Sequence, residues 1–205
     1  MSKIEQTTLK RIHKAAKVEF MEKGFKTASL RNIVKTAGVT TGAFYGYYGS
    51  KEELFEALVG EQYETFMGAY KNAMRKFANL PPEQQPENMS TISYQCMHDM
   101  LLYAYDNLDA FKLLLCRADG TRFAGMLDEM VTIEVKGTHD FQDVLTSLGR
   151  PSPYIDPQLE HILITGMFNA YFELIIHEMP LAKAENYLAE MWDFYSAGWS
   201  KIMGQ

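Results

Sequence analysis

Two short helices separated by a glycine, followed at once by a long one, constrain this chain more than any other stretch. Ser29 offers a capping hydroxyl for a helix over 30–37, in which Leu30, Ile33, Val34 and Ala37 share one face. Gly38 follows, where a left-handed helix terminus favours a residue without a Cβ. Thr40 and Thr41 then open a shorter helix with Gly42, Ala43, Phe44 and Tyr45, and Ser50 with Glu53 has the spacing of a capping box for the next. Two short helices joined by a glycine-containing turn predict a helix-turn-helix, a device whose second helix lies in a DNA groove.

Charge supports that expectation independently. Residues 1–51 hold 10 Lys and Arg against 3 Glu, a net of +7, whereas the other 154 residues hold 10 basic and 23 acidic side chains, a net of −13. The chain's overall −6 thus hides a basic head on an acidic body, the electrostatic pattern of a segment that meets phosphates.

Gly24-Phe25, Ser29 to Ile33, Ala37 to Tyr45, Tyr48 and Ser50 to Phe55 together resemble the N-terminal domain of TetR-family transcriptional regulators, over about residues 6 to 56. The resemblance stops there, and it departs from the family pattern at Gly46, Tyr47 and Tyr48. It implies an all-α fold of about nine helices: a DNA-binding head over residues 1–49 and a helical ligand-binding and dimerisation body over 50–205. It also implies a homodimer through the last two helices, an inducer held between the fourth and eighth helices, and repression of an operator as the default activity.

Residue chemistry assigns the head's contacts. Thr40 and Thr41 present hydroxyls to phosphate or base edge, while Gly42 and Ala43 permit close approach and methyl contact with thymine. Tyr45 and Tyr47 supply phenol donors to phosphate and Lys51 a point charge, with Ser29 and Arg31 adding contacts from the preceding helix. Each has a plainer alternative: Ser29 and Thr40 as caps, Tyr45 as a packing residue, Arg31 as a solvated one. Phe44 and Tyr48 are assigned to the head's core.

Beyond the head, helical periodicity predominates. A first helix carrying Leu9, Ile12, Ala16 and Phe20 stops at Gly24. A fourth runs from Ser50 past Phe77, a fifth covers 87–106, a sixth 107–116 and a seventh 122–148, with Gly137 and β-branched residues weakening the last. Asp156-Pro157 starts an eighth helix to about His177, and Pro180 a ninth to the chain's end. Aromatic and methionine side chains spread over helices four to eight predict an apolar ligand pocket including Tyr63, Met67, Tyr70, Tyr94, His98, Tyr105, Phe111, Met126, Met130 and Phe172, with core packing the plain alternative for each. Body acidity favours a neutral or cationic ligand.

The sequence lacks an uninterrupted apolar run of about 18 residues and a leader-like start, so a cytoplasmic location is expected. Cys96 and Cys116 are too few for a disulfide framework. Enzyme readings fare poorly. Cys96 and His98 point to different helix faces, His161 and His177 are far apart on one helix, and no phosphate loop or dinucleotide fingerprint is present. Neither cofactor nor metal is expected. A DNA-bound adaptor that recruits a protein partner and has no small-molecule inducer is the alternative from another class.

Overall fold

The computed structural model describes residues 3–204, with side chains from Gln6 onward. Among them are nine α-helices and no strand: α1 (Lys3–Thr27), α2 (Leu30–Ala37), α3 (Thr41–Tyr45), α4 (Lys51–Ala78), α5 (Gln85–Asp106), α6 (Leu108–Cys116), α7 (Met126–Ser147), α8 (Pro157–Ile176) and α9 (Leu181–Ile202). A 3₁₀ turn over Pro82–Gln84 precedes α5.

Local chemistry explains most boundaries. Ser29 Oγ accepts from the Asn32 N–H, and Gly38 (φ 63°, ψ 38°) ends α2 with its N–H on the Lys35 carbonyl while the Val39 N–H reaches that of Val34. Those two bonds close the end of the helix in the Schellman arrangement. Asp156 Oδ1 accepts from the N–H groups of Gln158 and Leu159, with Pro157 in the first turn, so α8 begins where the sequence placed it. Gly24 (φ 72°, ψ 163°) does not stop α1 but kinks it, and a last turn follows. The seventh helix starts four residues later than expected because 121–125 form a turn, in which Thr121 Oγ1 donates to the Ala118 carbonyl and accepts from the Phe123 N–H. Gly137 leaves α7 unbroken.

The chain divides into two compact units, and the division differs from a boundary at 49/50. The first unit takes the chain up to Glu64 together with Asn107–Ala124. Its reason is packing: the Phe25 N–H donates to the Arg117 carbonyl at 2.9 Å, Lys17 pairs with Asp109 and Lys26 with Asp119, and Phe123 packs edge-on against Tyr63. A triad of rings, Phe20, Phe25 and Phe55, fills the middle of this unit with centroids 5.1–5.9 Å apart. Arg122 lies over Phe123 and binds Glu56 and Glu64.

The second unit holds Thr65–Asp106 and Gly125–Gly204, with α8 packed on α7, α5 and α9, and α5 on α9. Tyr105 donates to the carbonyls of Leu174 (2.9 Å) and Met179 (2.8 Å), which ties down the end of α8. By length and composition α8 is apolar enough to cross a membrane, although polar Thr165 and Asn169 interrupt it, and 39% of that span is buried. Ile164, Phe168, Tyr171, Phe172 and Ile175 form the buried side, whereas Leu159 and Ile162 stay exposed.

Candidate nucleic-acid interface and interior cavity

In the head, Ile33, Val34, Ala37 and Phe44 are buried, so the second faces of α2 and α3 are left to solvent. Arg31, Thr41, Gly42, Ala43 and Tyr45 all lie on that outer side, and Tyr45 is 55% exposed. Thr40 Oγ1 accepts from the Ala43 N–H at 3.1 Å, so this hydroxyl caps α3 in the way that Ser29 caps α2. Tyr47 is half-buried. Tyr48 hydrogen-bonds through its hydroxyl to His13 Nε2, and its ring neighbours Phe44. Burial, then the charge of Lys17, lowers the His13 pKa.

Lys51 departs from its expected role. Its ammonium donates to the carbonyls of Phe25 (2.7 Å), Ala28 (3.1 Å) and Lys26 (3.3 Å) and lies 4.5 Å from the centre of the Phe25 ring. An ammonium has three donors, and all three are engaged on the last turn of α1. Lys51 therefore closes a helix end instead of presenting a free charge. Spacing along the sequence carries no signal of this, because the carbonyls lie more than twenty residues away.

Other basic residues of the head are also committed. Lys17, Lys23 and Lys26 pair with Asp109, Glu19 and Asp119, while Arg11 donates to the Gly38 carbonyl at 3.0 Å and braces the turn of the motif. Lys10, Lys14, Arg31 and Lys35 remain exposed. Glu19 holds the same region from inside: the Lys23 ammonium and then the Ser29 N–H depress its pKa below the usual carboxylate value.

The second unit holds a partly open cavity of about 110 Å³. Only Tyr70 among the ten residues expected around a ligand lines it. Tyr63 packs against Phe123 in the first unit, where Phe111 is also core. Met67, Met126, Met130 and Phe172 are buried elsewhere in the second unit, and Tyr105 is the clamp on α8. Tyr94 stacks on His98, whose Nε2 lies 3.0 Å from Glu185. The cavity is built instead around Glu134, with Phe77, Phe141, Phe168, Trp192, Tyr195 and Trp199 among its walls. Periodicity does mark Trp192, Tyr195 and Trp199 as one stripe of α9, but nothing in a single helix says what that stripe faces.

A buried-core head with two capped short helices, small outward residues on the second and exposed cations around them is a helix-turn-helix domain by geometry. Residues 5–58 match the model of the bacterial regulatory proteins of the tetR family. Over 50 residues it is 48% identical to the HTH-type transcriptional regulator YdgC of Bacillus subtilis, covering 24% of this chain and 26% of that one. It is 38% identical over 60 residues to the HTH-type transcriptional regulator TtgR of Pseudomonas putida, covering 29% of each. The chain thus spans about a quarter to a third of the length of the curated relatives it matches. Its fold is similar to that of a TetR transcriptional regulator family member from Streptomyces coelicolor A3, with a TM-score of 0.59 at 14% identity over 90% of this chain and 88% of that one.

Proposed function

We propose that this protein is a cytoplasmic, dimeric, sequence-specific DNA-binding transcriptional regulator, a repressor released from a palindromic operator by a small, largely apolar ligand. The observation that carries the DNA-binding part is the outer face of α2 and α3, where Arg31, Thr41, Gly42, Ala43 and Tyr45 are exposed on a scaffold buried beneath them. Thr41 reads base edges, Gly42 and Ala43 let the backbone approach, and Arg31 and Tyr45 hold phosphates. Ser29 and Thr40 serve this face indirectly, by capping the helices that form it.

Dimerisation is supported by the open sides of α8 and α9. Ile162 is 64% and Phe194 72% exposed, and Leu159 and Tyr187 are also exposed on the same two helices. Gly166 and Gly198 have open space where a side chain would stand, which lets another helix approach closely. Burying such surface in a two-fold four-helix bundle is the standard resolution for an apolar face of this kind, and two heads roughly 34–36 Å apart read a palindrome. Ligand release is supported by the ring-lined cavity, which favours a ligand sensor over the adaptor alternative.

Enrichment of random duplexes by the purified protein at fixed salt tests the reading. A palindrome is expected, with Thr41→Ala changing its sequence preference and Arg31→Ala weakening binding on all sequences and flattening the salt slope by about one. Recovery of no sequence above a salt-sensitive background would overturn it.

A further inference from the structure

We propose that the cavity of the second unit takes an organic cation with an apolar body, its charge seated against Glu134 and its hydrocarbon held among the surrounding rings. The proposal rests on the ligand-sensing reading above and narrows it to a chemical class.

Three observations lead to it. First, the lining is strongly aromatic: Tyr70, Phe168, Trp192, Tyr195 and Trp199 contribute rings from three different helices, α4, α8 and α9. Ring faces attract a cation, and do so most strongly where water is excluded. Second, among the described residues Glu134 is the one acidic side chain of the lining, and neither Lys, Arg nor His lines it. An anionic ligand would therefore meet a carboxyl group with no counter-charge, a costly burial. Third, Glu134 is held in place by the Tyr70 hydroxyl, which donates to its Oε2.

The remaining lining groups compete poorly for a charge. Burial pushes the Cys96 thiol up to about 11 and raises Tyr70 further still, so both stay protonated and neutral. The Trp192 indole N–H is engaged with Ser90 Oγ at 3.0 Å. Burial likewise raises the Glu134 pKa, and a cation seated beside the carboxyl favours its charged form.

Trp192 and Trp199 are the chain's 2 tryptophans, and both line the cavity, so intrinsic fluorescence of the full chain reports occupancy directly. The probes are benzyltrimethylammonium and its uncharged isostere neopentylbenzene, which differ by one nitrogen-for-carbon exchange and the charge. The cation is expected to bind at least about tenfold more tightly, a difference of about 1.4 kcal/mol. Glu134→Gln keeps the shape and an acceptor for Tyr70 while removing the charge; it is expected to abolish that preference and leave the isostere's affinity unchanged.

Equal or tighter binding of the isostere to the unaltered protein overturns the proposal, and this comparison stands even where the variant does not fold. Retention of the preference by a folded Glu134→Gln protein overturns it too, as does the absence of any fluorescence response to millimolar cation. Operator release is read separately, by adding the cation to the DNA complex. Occupancy without release upholds the cation site and removes the regulatory reading.

Discussion

The three carbonyls around Lys51 are the clearest case of a side chain whose work is set by distant neighbours. Lys51→Ala strands them at the end of α1, and the head is expected to lose roughly 1–2 kcal/mol, discounted for the partial exposure of the site. Thermal unfolding followed by circular dichroism checks this. A variant that keeps its melting temperature and loses only DNA affinity would return Lys51 to the phosphate. Glu19 supplies a pH-dependent counterpart. Its pKa is depressed from the ordinary 4.5, so its stabilisation is present above that value and disappears as pH falls through the lower folded-state value. Glu19→Gln is therefore expected to be less stable than the parent at pH 7, with the difference closing below about pH 4. Urea unfolding at both pH values measures it, and a gap that persists in acid contradicts the assignment.

At the scale of elements, the two glycines that bracket α3 behave differently for a conformational reason. Gly38 adopts φ 63°, a region that costs a side chain roughly 1–2 kcal/mol, and Val39 and the α2 terminus depend on it. Gly46 sits at φ −73°, ψ −16°, where any residue fits, and a Cβ there would meet the Ala43 carbonyl at an ordinary 3.4 Å. Gly46→Ala is accordingly expected to stabilise the protein by about 0.4–1 kcal/mol in chemical denaturation. If it does so while weakening operator binding, the bare backbone at 46 is there for the approach of DNA. Helix starts were legible for the same local reason: the Ser29, Thr40, Ser50 and Asp156 caps act within a turn, and the Glu53 N–H bonds Ser50 as the spacing predicts, although the Glu53 carboxylate accepts from the Gly49 N–H instead of that of Ser50. The start of α7 was not legible, since Thr121 holds its turn through a carbonyl that helical periodicity ignores.

The molecule as a whole presents apolar residues it does not bury. Ile162→Lys with Phe194→Lys places charges on the open sides of α8 and α9, both well away from the buried positions of those helices. The double variant is expected to sediment as a monomer with its helical content intact, and to bind operator with much lower affinity, because each head then pays its entropy of association alone. A dimer that survives both charges would place the interface elsewhere. The first unit extends beyond the 1–49 motif to α6 and the 117–124 turn, since Phe25, Lys17 and Lys26 find their partners there.

By itself the sequence determined the all-helical class, the capped helix-turn-helix and the family of the head, because caps, glycine termini and helical periodicity act over a few residues. Only the tertiary structure decided that Lys51 closes a helix, that nine of ten expected ligand residues lie away from the cavity, and that Glu134 stands within it. A helix shows its sequence neighbours at three and four residues, whereas a cavity is lined by whichever faces of separate helices come to meet. That choice belongs to packing.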